Sequence, residues 1–152
     1  MTNPTPIAVR LIRGDAPDLA RCLALRRRVF IVEQQVPEAE EVDGRDPACL
    51  HVLATRDGAV VGTARLRVTD QGVAKAERVA VHRELRGHGV GRRVMRALEA
   101  EAARQGHAAV VLGAQLDAVP FYERLGYESY GPVFLDAGIE HRMMRLSLVP
   151  AP

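Results

Sequence analysis

Hydrophobic and polar positions alternate, cluster and repeat differently along this 152-residue chain, and each change of pattern marks an element. Ile7 to Ile12 reads as a first strand. Gly14 to Pro17 is a turn, with Asp15 placed to cap a helix. Leu19, Cys22, Leu23, Arg26, Val29 and Phe30 then fall at helical spacing, which predicts a helix running to about Glu33. Gln35 to Pro47 is a polar, acidic connection. Leu50 to Thr55 is a strand, Asp57-Gly58 a strong hairpin turn, and Ala59 to Val68 the returning strand. Asp70-Gln71-Gly72 turns the chain into Val73 to Val81. A second helical pattern starts near Val90 and runs to about Arg104, with Gly106 placed to end it. Ala109 to Leu112 is a short continuous apolar run, as in a strand buried on both faces. Pro120 to Leu125 predicts a short helix closed by Gly126. Two last strands are expected near Tyr127 to Val133 and from His141 to Leu148. The order implies one α/β (α+β) layer domain over 1–152, a mixed sheet with helices packed on its faces.

The turn Arg86-Gly87-His88-Gly89-Val90-Gly91, between strand and helix, is the most informative stretch. Its glycines strip side chains from a path that leads into a helix N-terminus. Unpaired N–H groups and the positive end of the helix dipole then converge on one place, which suits a phosphate. Arg86, Arg92 and Arg93 add cations that complete a pyrophosphate site. Two better-known phosphate motifs are excluded. The dinucleotide fingerprint needs a glycine where Arg92 stands and an acidic residue closing the next strand, where Val110 to Gly113 offers none. The P-loop needs Lys-Ser/Thr where Arg92-Arg93 stand. The plain alternative is a tight strand-to-helix turn with no ligand.

Composition narrows the field in a few places. A net charge of +2 and 4% aromatic residues give a nucleic-acid role no support. No apolar run approaches membrane-spanning length, and Met1 to Pro6 lacks the layout of a signal peptide. Cys22 and Cys49 show no metal or redox spacing and read as buried free thiols in a reducing compartment. A cytoplasmic protein without a membrane partner is therefore expected. The five histidines show no metal-ligand spacing, so no metal is expected.

The stretch from Val79 to Met95 resembles the acetyl-CoA-binding motif of the GCN5-related N-acetyltransferases (GNAT). Arg86, Gly89 and Gly91 fill its Arg/Gln-x-x-Gly-x-Gly/Ala pattern. Phe121-Tyr122-Glu123-Arg124-Leu125-Gly126-Tyr127 resembles the family's aromatic-Tyr-x-x-x-Gly-aromatic segment. Gln115 stands where the family usually has Asn, which keeps the amide on a longer arm. Leu25 to Pro37, Glu41-Val42-Asp43-Gly44-Arg45-Asp46 with His51, and Gly138 to Met144 are similar to the ElaA/YjcF-like branch. The likeness thus spans nearly the whole chain. It implies a mostly antiparallel sheet of about six to seven strands flanked by about four helices, and transfer of an acetyl group from acetyl-CoA to a primary amine of a small molecule or peptide. Relatives of this kind often dimerise, so a homodimer is an expectation.

The resemblance also distributes roles. The main chains of Val79, Ala80 and Val81 would hold the pantetheine arm and polarise the thioester carbonyl. Arg86, Gly87, His88, Gly89, Val90, Gly91 and Arg92 would bind pyrophosphate, with Gln115 a further cofactor contact. Tyr122 would protonate the leaving sulfur; its plain alternative is a ring packed under the short helix with its hydroxyl on a carbonyl. Glu77 is the candidate base, and a solvated strand position is an equal alternative. Phe30, Glu33, Glu41, Asp43, His51, Arg65 and His141 are the candidate substrate residues, although single histidines in apolar strands are more often hydrogen-bonded core residues.

A second likeness bears on the same segment. Arg26, Phe30, Glu41, Asp43, Asp46 and Arg65 follow the order found in acyl-homoserine-lactone synthases, without those enzymes' tryptophan after the Phe. It suggests acidic residues that receive a cationic amine. Two rivals to the acetyltransferase reading stay open: a signal-lactone synthase, and a non-catalytic acyl-CoA-binding domain.

Overall fold

The computed structural model describes residues 5–148, so most of the Met1 to Pro6 segment lies outside the described residues. Seven strands form one sheet: β1 (Ala8–Arg13), β2 (Leu50–Arg56), β3 (Ala59–Val68), β4 (Ala74–Val81), β5 (Ala109–Gln115), β6 (Glu128–Asp136) and β7 (Ile139–Ser147). Their order across the sheet is β1-β2-β3-β4-β5-β7-β6. Every neighbouring pair is antiparallel except β4 and β5. The expected mixed, mostly antiparallel architecture is therefore what forms. The helices are α1 (Leu19–Arg26), α2 (Glu38–Glu41), α3 (Val90–Arg104) and α4 (Val119–Arg124).

Alternation along β2 assigns the two faces. Val52 and Ala54 join a cluster with Val90, Val94, Met95, Leu98 and Ala102 of α3. Leu53, pointing the other way, packs with Ile12 and with Cys22 of α1. Helices thus cover both faces. Val94, Met95 and Leu98 are fully buried, and each such side chain contributes about 1.5–3 kcal/mol. The helix can come this close because β3 presents Gly62 to it; an added Cβ there would lie 2.7 Å from Val90 Cγ1. α3 ends as its sequence foretells. Gly106 takes φ +89, and the His107 N–H donates to Ala102 O at 3.0 Å.

Two features of β4 open a cleft beside it. Its parallel pairing with β5 is confined to Ala74↔Val110 and Lys75↔Val111, after which the strands part. On its other edge, Ala80 faces Thr63 and Glu77 faces Arg65, so Arg78 and Val79 together oppose one residue of β3. Arg78 has φ +55, left-handed backbone that a non-glycine residue adopts only when its surroundings impose it. Such a bulge bends and twists its strand, here away from β5.

Several boundaries differ from the sequence expectation: the first helix is capped at Asp18 rather than Asp15, β6 runs on to Asp136 and β7 begins at Ile139. The first helix continues past Arg26 as a π-helix over Arg27–Glu33, with Gln34 N–H donating to Val29 O five residues back. The acidic connection holds α2 and a 3₁₀ turn at Asp46–Ala48. β5 runs three residues beyond Leu112, through Gly113, where a side chain would meet Phe134 at 3.2 Å. No helix among the described residues is long and apolar enough to cross a membrane.

Candidate active site

Where β4 and β5 separate, a cavity of about 450 Å³ opens between them. Glu77 to Val81 of β4 form one wall and Leu112 to Gln115 of β5 the other. The π-helix adds Val29 and Phe30, α4 adds Phe121 and Tyr122, and the β6–β7 hairpin adds Phe134, His141 and Met143. Beyond Lys75, β4 has no strand partner on the cavity side among the described residues, so its main-chain polar groups there remain available. Val79, Ala80, Val81, Gln115 and Tyr122, distant in sequence, are all brought to this cavity.

The glycine turn continues from Arg86, whose side chain reaches the cavity. Gly87 (φ +84) and Gly89 (φ +82) need the left-handed region, and nothing lies within 4 Å of where their Cβ atoms would be. Among the described residues, the N–H groups of Gly87, Gly89, Val90, Gly91 and Arg92 have no backbone acceptor. Gly91 serves packing instead, since a Cβ there would come within 3.0 Å of Phe121 Cζ. The Val90 side chain belongs to the core, leaving only its main chain for a ligand. His88 and Arg92 are exposed beside the turn. Arg86 is positioned by its Nε–H to Val81 O (3.1 Å) and an ion pair with Glu33 (2.8 Å).

Tyr122 is 7% exposed. Its ring lies 4.9 Å from Phe121 and edge-on to Tyr127 at 5.7 Å. Burial pushes its phenol pKa up. The structural hydrogen bond that could occupy a tyrosine falls to its neighbour instead: Tyr127 donates its hydroxyl to Glu99 at 2.8 Å. The Tyr122 hydroxyl has no partner of its own among the described residues, and it is not one of their sealed polar atoms. It therefore opens into the cavity.

The acidic segment folds into a buried ion network beneath this wall. Arg26, 1% exposed, clasps Glu41 through Nε (2.7 Å) and Nη2 (2.8 Å) and reaches Asp46 at 2.7 Å. Arg65, fully buried, bonds Asp43 at 2.9 and 2.8 Å, Asp46 at 3.0 Å and Glu77 at 2.8 Å. Arg67 also holds Glu77 at 2.8 Å. The bulge aims Arg78 at the Glu40 and Glu41 carbonyls (3.1 and 3.2 Å). Burial works to raise the Glu77 pKa, but hydrogen bonds and charge from Arg67 and Arg65 outweigh it, lowering it from 4.5 to about 2. Hydrogen bonds from Arg65 likewise hold Asp43 well below the usual carboxylate range.

This network corrects several expectations. Glu77 lines the cavity but is neither solvated nor a free base, because two guanidiniums occupy its carboxylate and its low pKa makes it a poor proton acceptor. Asp43 and Arg65 do not line the cavity; they neutralise each other within the fold. His51 is sealed inside, 0% exposed, with Nε2 3.0 Å from Asp46 O, and burial lowers its pKa. Glu33 is taken by Arg86. Glu41 borders the cavity with its carboxylate already clasped by Arg26. Of the expected substrate residues, Phe30 and His141 remain with unengaged groups at the cavity. Sequence reasoning missed Gln34, whose amide oxygen accepts from Gln115 Nε2 at 2.8 Å; one helical turn beyond Phe30 was the available signal. It also missed Phe134 and Asp136, which only the β6–β7 hairpin brings here. No group of three or more His, Cys, Asp or Glu suited to a metal occurs among the described residues.

The comparisons with known proteins agree with this geometry. Residues 16–148 match the acetyltransferase (GNAT) domain family. The chain is 41% identical over 135 residues to a Bacillus subtilis (strain 168) protein described as an uncharacterized N-acetyltransferase, YjcF, covering 88% of this chain and 96% of that one. The crystal structure of Escherichia coli ElaA superposes with a TM-score of 0.81 at 29% identity, covering 92% of this chain and 99% of that one. An aminoglycoside 6'-N-acetyltransferase complexed with coenzyme A shares the fold (TM-score 0.75, 19% identity, 95% and 99% covered). With a family match over most of its length and a parted β4–β5 pair beside a glycine-rich helix start, this chain belongs to the GNAT acetyltransferase family.

Proposed function

We propose that the protein is an acetyl-CoA-dependent N-acetyltransferase acting on a primary amine. One observation carries this reading: the free edge of β4 runs from a helix start rich in N–H groups to a tyrosine hydroxyl, all without a hydrogen-bond partner among the described residues. A thioester carrier needs a polar grip at its diphosphate, a strand edge for its amide-bearing arm and a proton donor at its sulfur, in that order. The residues present fit those needs. Gly87 and Gly89 leave open space over the turn, and the N-terminus of the 15-residue α3 favours an anion. Arg86 and Arg92 would add charge-assisted bonds. When bound, acetyl-CoA supplies an acyl group already activated as a thioester.

This chain's residues do the rest. The main chains of Val79, Ala80 and Val81 would orient the carrier along β4. Val29, Phe30, Leu112 and Phe134 line the cavity with apolar surface that excludes water. Tyr122, its pKa raised by burial, keeps its proton at neutral pH and holds it for the departing sulfur. Glu40 and Asp136 line the cavity with no ion-pair partner among the described residues, which favours a cationic amine over an anionic acceptor. The lactone-synthase reading loses its support, because the arginines and carboxylates that suggested it are paired with one another.

Two variants test the reading. Gly89→Asp places a carboxylate where phosphate belongs, on backbone that Asp tolerates better than most residues. Calorimetry on the folded variant should show acetyl-CoA affinity reduced at least about tenfold, or about 1.4 kcal/mol; unchanged affinity contradicts the phosphate assignment. Tyr122→Phe should lower thiol release with an amine acceptor by about 10²-fold while acetyl-CoA affinity holds. Equal turnover removes the acid role and leaves a binding domain.

A further inference from the structure

The network around Glu77 leaves the acetyl transfer reading without Glu77 as proton acceptor for the amine, and the cavity holds a better-oriented candidate. His141 lies on β7 directly opposite Gln115 of β5 and lines the same cavity as Tyr122. Its Nδ1 is 2.7 Å from Ile139 O. A carbonyl oxygen only accepts, so Nδ1 carries the hydrogen and the neutral ring presents Nε2 as a bare lone pair. The residue is only 9% exposed. Nε2 has no hydrogen-bond partner among the described residues and is not one of their sealed polar atoms, so it faces the cavity. Phe134 stacks on the ring at 5.7 Å and 28°, which together with the Ile139 bond holds its plane. A base oriented by a second group, open on its reactive side, is the arrangement general-base chemistry requires.

The other charged groups of the cavity do not compete for this role. Glu41 is clasped by Arg26 and Glu77 by Arg65 and Arg67. Glu40 of α2 and Asp136 of β6 are exposed. Lys75 and Arg78 of β4 and Arg86 beyond it are cations.

We propose that His141 is the general base of the transfer, taking the proton from the incoming amine through Nε2; this rests on the acetyltransferase reading above. Overall, a protonated amine and a thioester become an amide, a thiol and one released proton. One C–N bond forms and one C–S bond breaks. The protonated amine sheds one proton to solvent before attack, His141 takes the second from nitrogen as the C–N bond forms, Tyr122 gives one to sulfur, and exchange with solvent resets both side chains.

His141→Asn separates this role from a structural one. The asparagine amide nitrogen stands where Nδ1 stood and keeps the bond to Ile139 O, while the Nε2 acceptor is lost. With acetyl-CoA and the best acceptor from a panel of polyamines, aminoglycosides and amino-acid amides, turnover should fall by about 10²-fold or more. Acetyl-CoA affinity by calorimetry should stay within about twofold. Long-range ¹H–¹⁵N NMR on the wild-type protein reads the tautomer without any acceptor. Hydrogen on Nδ1 at about pH 8 supports the proposal, and hydrogen on Nε2 overturns it. A variant with near wild-type turnover also overturns it. A wild-type protein that binds no acetyl-CoA overturns the underlying reading instead, a result distinct from both.

Discussion

Replacing Arg65 with methionine keeps an unbranched side chain in a fully buried position and removes its charge. Three carboxylates lose a partner. Asp46 retains Arg26 at 2.7 Å and Glu77 retains Arg67 at 2.8 Å, but Asp43 is left with the looser pairs to Arg78 at 3.4 Å and Arg45 at 3.9 Å, and the Arg45 N–H at 3.0 Å. Removing one member of a buried ion pair costs about 3–5 kcal/mol. The surviving arginines place this change at the lower end, about 3 kcal/mol, which in a protein of this size lowers Tm by about 6–12 °C. The loss carries a pH signature. Glu77 has a folded pKa lowered from 4.5 to about 2, so its contribution is complete above about 4.5 and disappears as pH falls toward 2. Without Arg65 that pKa moves back up. The stability gap between wild type and variant should therefore be widest at about pH 7 and shrink between about pH 4.5 and 2. Thermal unfolding followed by circular dichroism across that range measures it. A Tm change under about 2 °C, or a gap that does not shrink on acidification, refutes the assignment of Arg65 as the network's central cation.

Two further changes probe the packing that frames the cleft. Gly62→Ala forces a Cβ to within 2.7 Å of Val90 Cγ1 and 3.0 Å of Val94 Cγ2, and chemical denaturation should show a loss of about 1–3 kcal/mol; a neutral outcome means α3 is free to shift. Tyr127→Phe removes the bond to Glu99, which keeps Arg96 at 2.7 Å. It should cost about 1–3 kcal/mol in urea unfolding while leaving acetyl-CoA affinity unchanged, and a matching loss of affinity would place Tyr127 rather than Tyr122 at the sulfur.

Features legible in the sequence and features hidden from it divide on physical grounds. Local signals held up: the Asp57-Gly58 hairpin takes φ +52 and +78, α3 stops at Gly106, and the glycine turn opens α3 as its spacing implied. These depend on backbone freedom and periodicity within a few residues. The extension of β5 through Gly113 was hidden, because that glycine answers to Phe134, a partner on another strand. The π-helix was hidden for a similar reason, since one added residue per turn leaves the apolar periodicity before Arg26 unchanged. The widest misreading concerned charge. Glu41, Asp43, Asp46 and Glu77 look alike in sequence whether they await a substrate or clasp an arginine. Only the approach of α2, β3 and β4 around Arg26 and Arg65 decides between the two. The roles of His51 and His141 divide on the same ground: one is enclosed by the sheet, and the other is turned toward the cleft by the β6–β7 hairpin.

The placement of the carrier along β4 is tested most directly by a crystal structure of the protein with coenzyme A. The diphosphate oxygens should lie about 3 Å from the N–H groups of Gly87 and of Gly89 to Arg92, with the sulfur within hydrogen-bond reach of the Tyr122 hydroxyl. A nucleotide bound elsewhere, or a Tyr122 hydroxyl walled off from the sulfur, would contradict it.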